Sequence, residues 1–177
     1  MVEEIELKIL NINTKEIEKK LIKLGAKKIP QRLVVEKHFD FKDNKITNKG
    51  DLLRLRKIGD KAEICHKSTK QKDSNFKINE EIEANVDNFK VVEKILLNIG
   101  LIVKKHREKK RTSFKLNNLH IEIDKYPEIP PYLEIEGPKK EILNLLNKLN
   151  FSLKQTTSDF SSKVIKSYGK NSNFLKF

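Results

Sequence analysis

Apolar and polar residues alternate in several short stretches of this chain, and the polar member of the alternation is usually charged. Glu-Ile-Glu recurs at Glu4-Ile5-Glu6, Glu81-Ile82-Glu83 and Glu134-Ile135-Glu136. Cations repeat the spacing in Arg54-Leu55-Arg56 and Lys105-His106-Arg107, and Lys8 stands two residues beyond Glu6. A period of two is that of a strand, which sends alternate side chains to opposite faces. The pattern therefore predicts strands with one apolar face and one face of mixed charge. Unpaired charge in a dry core costs several kcal/mol per group. Such a face fits instead the lining of a wet cavity that binds a polyanion.

Three of these strands lead into helical patterns. Strand Glu3 to Leu10 precedes a helix from near Thr14 to Leu24, capped by Asn13 or Thr14 and stopped by Gly25. Strand Lys77 to Asn85 leads through Asp87 into a helix carrying Phe89, Val92, Ile95, Leu96 and Ile99, ended by Gly100. Tyr132 to Glu136 lead through Gly137 and Pro138 into a helix with Ile142, Leu145, Leu146 and Leu149. Between them lie strands at Lys37 to Phe41, Asp51 to Ile58, Lys61 to Lys67, Ile102 to Arg107, Thr112 to Leu116 and His120 to Lys125. Gly59-Asp60 and Asn117-Asn118 read as tight turns, and Lys70 to Asn75 as a loop.

About eight strands and three or four helices result, an α+β fold. Helices would cover the face carrying Ile5, Leu7, Leu53, Leu55, Ile121, Ile123, Leu133 and Ile135. Closing the antiparallel sheet into a barrel would remove its edges and enclose the charged face. The pattern gives no boundary, so residues 1–177 read as one domain, with a core over about 1–150 and a tail over 151–177 packing on it.

Composition changes this picture little. The net charge of +13 invites nucleic acid, but only five of the 38 basic residues are arginines, and Arg54, Arg56 and Arg107 sit in the alternating pairs. The guanidinium fork suits phosphate oxygens. The run from Lys104 to Arg111 resembles a nucleic-acid patch, but alternation turns Lys105 and Arg107 inward and Lys104 and Glu108 outward. The chain also has no tryptophan for base stacking, which makes nucleic acid a poor match. Cys65 is the only cysteine and reads as a buried strand residue, in keeping with a cytoplasmic protein. No apolar run reaches the ~20 residues of a membrane span. The four histidines lack the spacing of a zinc site, although His120 falls on the charged face.

A carboxylate beside a phosphate-binding cation repels the ligand unless a divalent metal intervenes, and Mg2+ or Mn2+ accepts carboxylate and phosphate oxygens together. Any one charged pair is equally the pattern of a solvated strand face with cross-strand salt bridges. The ordered set says more. Glu4-Ile5-Glu6-Leu7-Lys8 resembles the Glu-x-Glu-x-Lys signature of the CYTH superfamily, the triphosphate tunnel proteins. Leu53 to Arg56, Lys67, Glu81 with Glu83, Val103 to Arg107, His120 to Asp124 and Leu133 to Glu136 resemble its later elements in the same order. The resemblance spans roughly residues 1 to 150.

The resemblance implies a closed tunnel of eight antiparallel strands with helices outside. It implies triphosphate binding by Lys8, Arg54, Arg56, Lys67, Lys105 and Arg107, and Mg2+ or Mn2+ held by Glu4, Glu6, Glu83, Asp124, Glu134 and Glu136. Glu4, Glu6 and Lys8 would be catalytic, and Glu81 would join the acidic set. The family includes triphosphatases and class IV adenylyl cyclases, so ATP, inorganic triphosphate and thiamine triphosphate are the candidate ligands. Hydrolysis is read ahead of cyclisation, with a non-catalytic binder as the competing class. The sequence leaves a homodimer open. Two departures stand out: His38-Phe39-Asp40 where many members have Tyr-Phe-Asp, and Ile129-Pro130-Pro131-Tyr132 before the last acidic strand.

Overall fold

Chain reversals in this protein are set by residues that tolerate a positive φ. Gly25 (87°) and Gly100 (96°) follow two helices, Asn150 (65°) ends a third, and Gly59 (59°) and Asn117 (53°) sit in hairpin turns. Between these stops, the computed structural model describes residues 2–72 and 77–177, and the side chains of 5–68 and 80–177. The strands are β1 (Val2–Ile9), β2 (Lys27–Asp40), β3 (Asp51–Ile58), β4 (Lys61–Lys72), β5 (Lys77–Val86), β6 (Ile102–Leu116), β7 (Leu119–Lys125), β8 (Tyr132–Glu136), β9 (Thr156–Thr157) and β10 (Phe174–Leu175). The helices are α1 (Thr14–Lys23), α2 (Phe89–Asn98), α3 (Lys139–Leu149) and α4 (Ser161–Ser167).

The strands form one large sheet in the order β10-β6-β2-β3-β4-β5-β1-β8-β7, with β9 on β1. Neighbours are antiparallel except β10 against β6, which run parallel. A further pairing of β6 with β7, from Lys110↔Lys125 to Leu116↔Leu119, joins the second strand of that order to the last.

Helices α1, α2 and α3 sit on the apolar face. Asn13 caps α1 by accepting from the Glu16 N–H at 3.3 Å, and Ile17 and Leu21 are buried. With Ile142, Leu145, Leu146 and Leu149 of α3, they join Leu7, Ile9, Ile121, Ile123, Leu133 and Ile135 of the sheet in the largest core cluster. Asn88, one residue beyond the expected Asp87, caps α2. Leu96 of α2 packs with Phe39 and Leu55 in a second cluster. Burying a leucine or isoleucine side chain is worth about 1.5–3 kcal/mol, so the outer face drives folding and leaves the other face free to be polar.

Several boundaries differ from expectation. The strand expected at Lys37 to Phe41 is the end of the 14-residue β2. The two strands expected at Ile102 to Arg107 and Thr112 to Leu116 are one 15-residue strand, β6. Lys70 to Lys72 belong to β4, and the remainder of the expected loop lies outside the described residues. The tail packs back: β9 pairs β1, β10 pairs β6, and Val164 and Ile165 of α4 are buried against Tyr126, Ile129 and Tyr132.

Candidate active site

The polar faces of the long strands enclose a cavity of about 710 Å³. Arg54 and Arg56 of β3, Lys67 of β4, and Lys105, Arg107, Lys109 and Arg111 of β6 line it with cations. Glu6 of β1, Glu81 and Glu83 of β5, Glu122 of β7, and Glu134 and Glu136 of β8 line it with carboxylates. Lys8 and His120 also line it. Among the residues expected at the site, only Glu4 has its side chain outside the described residues, and Asp124 lies 0% exposed behind the wall.

On the acidic side, Lys8 is 2% exposed and is shared by two carboxylates, Glu6 Oε1 at 3.2 Å and Glu134 Oε1 at 3.7 Å. Burial opposes its charge, but Glu134, Glu6 and Asp124 together hold its pKa above the ordinary lysine range. One cation does not satisfy both acids. Burial first, and then the repulsion from Glu6, raises the pKa of Glu134 although Lys8 and Arg111 work against it. The ammonium gains from both carboxylates while each carboxylate receives a share, so the opposite senses of the two shifts agree physically.

Carboxylate oxygens of Glu122, Asp124 and Glu134 lie within 4.8 Å of one another. They are hard oxygen donors of the kind Mg2+ and Mn2+ prefer, and the raised proton affinity of Glu134 marks excess negative charge that a cation would relieve. Asp124 is more heavily engaged than the others. Arg111 grips it through Nε and Nη2, both at 2.6 Å, and Lys109 donates at 2.8 Å. Tyr132 reaches the same carboxylate at 3.4 Å.

On the cationic side, Arg56 pairs with Glu63, Lys67 with Glu81, and Arg54 approaches Glu63 at 3.5 Å. Arg107 donates to Glu36 at 2.6 Å and to Ser162 of α4 at 3.2 Å. Lys105 donates to the same hydroxyl at 2.9 Å. Burial, then the Arg107 charge, brings the pKa of Lys105 down to about 8. Cys65 is 1% exposed, with Sγ 3.6 Å from Glu81, and burial pushes its thiol pKa up, as fits a strand residue rather than a nucleophile.

Sequence reasoning stopped short on two strands. Lys109 and Arg111 continue the inward phase of Lys105 and Arg107, and Glu36 and His38 occupy the same phase of β2. Extending the period of two through both segments would have found them. Ser161, Ser162, Lys163 and Lys166 of α4 also line the cavity, and no pattern in the tail marked them.

Solved structures of similar shape come from several organisms. The PH1012 protein of Pyrococcus horikoshii shares 24% identity at a TM-score of 0.74, with 89% of this chain and 96% of that one covered. A candidate adenylate cyclase from Vibrio parahaemolyticus superposes at a TM-score of 0.82 with 16% identity, over 92% of this chain and 97% of that one. HpAC1 of Hippeastrum, a candidate adenylyl cyclase with a dominant triphosphatase activity, matches at a TM-score of 0.69 and 15% identity, over 97% of each chain. At these identities the likeness establishes the fold. A comparison with curated proteins finds no match. Among the described residues, no helix is long and apolar enough to cross a membrane. The CYTH domain model matches residues 3–168, and with nearly the whole length covered, this chain belongs to the CYTH family.

Proposed function

We propose that the protein is a divalent-metal-dependent triphosphatase whose strand pairings enclose a tunnel for the substrate. One observation carries this reading: cations of β3, β4 and β6 and carboxylates of β1, β7 and β8 line a single cavity. Lys8, Arg54, Arg56, Lys67, Lys105 and Arg107 bind the phosphate chain, because charge-assisted contacts suit its oxygens. Glu6, Glu122, Glu134 and Glu136 hold Mg2+ or Mn2+, with Glu4 at the start of β1 in the same set. A bound metal supplies charge neutralisation and a more acidic water.

Water attacks the terminal phosphorus, the bridging P–O bond breaks, and orthophosphate leaves the shortened chain. The proton of that water passes to a carboxylate of the cavity wall. Lys8, kept charged by its two carboxylates, stabilises negative charge as it builds on the phosphoryl oxygens.

A cavity of about 710 Å³ is also large enough for a nucleoside triphosphate, which favours a class IV adenylyl cyclase as the second reading. A product assay separates the readings. ATP, inorganic triphosphate and thiamine triphosphate are offered singly with Mg2+ or Mn2+, and orthophosphate, pyrophosphate and cyclic AMP are resolved. Orthophosphate without cyclic AMP supports hydrolysis, and cyclic AMP with equal pyrophosphate replaces it with cyclisation. Binding without any product makes the protein a polyphosphate binder.

A further inference from the structure

His38 stands in the cavity wall, opposite Arg54 of β3 on one side and Lys105 of β6 on the other. It is 6% exposed, and the Arg107 Nη2 lies 3.2 Å from its Nε2. A guanidinium has donors only, so Nε2 accepts in this contact. Glu36 Oε1 is 3.6 Å from the same nitrogen, too far for a hydrogen bond. That oxygen is already taken by Arg107 at 2.6 Å and by the Tyr126 hydroxyl at 3.2 Å. Burial, with Arg107 and Lys105 adding to it against Glu36, brings the pKa of His38 down to about 4, so the ring is neutral. A neutral imidazole that accepts at Nε2 carries its proton on Nδ1. Nδ1 is buried and has no partner among the described residues. The wall thus holds an unsatisfied, uncharged N–H among phosphate-binding cations.

We propose that His38 contacts the substrate: Nδ1–H donates to a phosphate oxygen of the bound triphosphate while Nε2 braces Arg107. The proposal rests on the triphosphate reading of the cavity. It assigns the two ring nitrogens different tasks, which two amide substitutions separate. The amide nitrogen of asparagine reaches the Nδ1 position, whereas the amide oxygen of glutamine reaches the Nε2 position.

Calorimetric binding of inorganic triphosphate is measured for the wild type, His38→Asn, His38→Gln and Arg54→Ala, with Tm recorded for each. His38→Gln keeps the brace and loses the donor, so its Kd should rise about tenfold with little change in Tm, the effect of one hydrogen bond to a charged acceptor. His38→Asn keeps a donor and loses the brace, so its Tm should fall more than its affinity. If His38→Gln binds within about twofold of wild type while Arg54→Ala has lost binding, the ring is only a brace and the proposal fails. If the wild type does not bind triphosphate, the reading of the cavity itself fails. The imidazole 15N spectrum of the free protein tests the tautomer separately. A pyrrole-type Nδ1 supports the assignment, and a pyrrole-type Nε2 overturns it.

Discussion

Asp124 and Glu134 stand on neighbouring strands, β7 and β8, and their surroundings drive them in opposite directions. Asp124 is 0% exposed; burial opposes its charge, but Arg111 and Lys109 hold its pKa well below the ordinary 3.8. Asp124→Asn would leave two buried cations without their counter-charge, a loss of about 3–5 kcal/mol in urea unfolding at pH 7. Because the folded pKa lies below the unfolded one, that stability is present above pH 3.8 and lost as pH falls, so the gap between wild type and variant should close in acid. Glu134 has the reverse shift, and its charge is a burden to the metal-free protein. Glu134→Gln should unfold within about 1 kcal/mol of wild type, or later, yet lose the thermal stabilisation given by added Mg2+ or Mn2+. A large loss of stability in Glu134→Gln, with metal response intact, would make this residue a strut like Asp124. Lys105 brings a second pH effect. With its pKa near 8 in the free protein, it must take up a proton to meet a phosphate above that pH. Triphosphate affinity should therefore fall from pH 8 to 10, with proton uptake seen calorimetrically in buffers of different ionisation enthalpy. Lys105→Met should remove that share of the slope.

The elements were legible where a local signal was strong, and less so where only length or long-range pairing decided. Asn13, Gly25, Gly59, Gly100, Asn117 and Asn150 mark helix ends and hairpins that the sequence placed within a residue or two. The long strand β6 was split because its outer positions carry Glu108 and Lys110, which interrupts the apolar half of the alternation. β2 was begun only at Lys37 because the stretch before it contains Pro30, which reads as a break in a strand. Pairing along both edges keeps these segments extended regardless. The same interruption hid Lys109 and Arg111 from the candidate site. α4 is held by tertiary packing of Val164 and Ile165 against two tyrosines, which no local pattern announces. Gly137 shows a constraint of a different kind. It links β8 to α3 at φ 144°, and its N–H donates to the Ile5 carbonyl at 3.0 Å. A Cβ there would sit 2.8 Å from the backbone oxygen of Asn118. Gly137→Ala combines backbone strain with a clash against main chain, so about 1–3 kcal/mol or more should be lost in denaturant unfolding. An unchanged midpoint would mean that the β8–α3 turn is free to move.

At the scale of the whole molecule, the net charge of +13 attracts any polyanion, so binding alone does not identify a tunnel. The two sources of attraction differ in how energy is spread among residues. A diffuse field is the sum of many exposed lysines, and each should matter little and be screened at ordinary salt. A built site concentrates the interaction in side chains already desolvated, such as Arg54, which is 9% exposed, and Arg56 beside it. Arg32 is a poor surface control, since it faces Arg111 across β2 and β6 with its Nε buried. Lys19 and Lys148 are exposed on α1 and α3 and serve better. Arg54→Ala and Arg56→Ala should each weaken inorganic triphosphate binding by about tenfold to a hundredfold, the range of charged hydrogen bonds, whereas Lys19→Ala and Lys148→Ala should stay within about twofold. Raising salt from 50 to 500 mM should then lower affinity for all four variants by a similar factor, because the long-range field is common to them. Equal losses at all four positions would place the affinity in the field, and the cavity would no longer be the reason this protein holds a triphosphate.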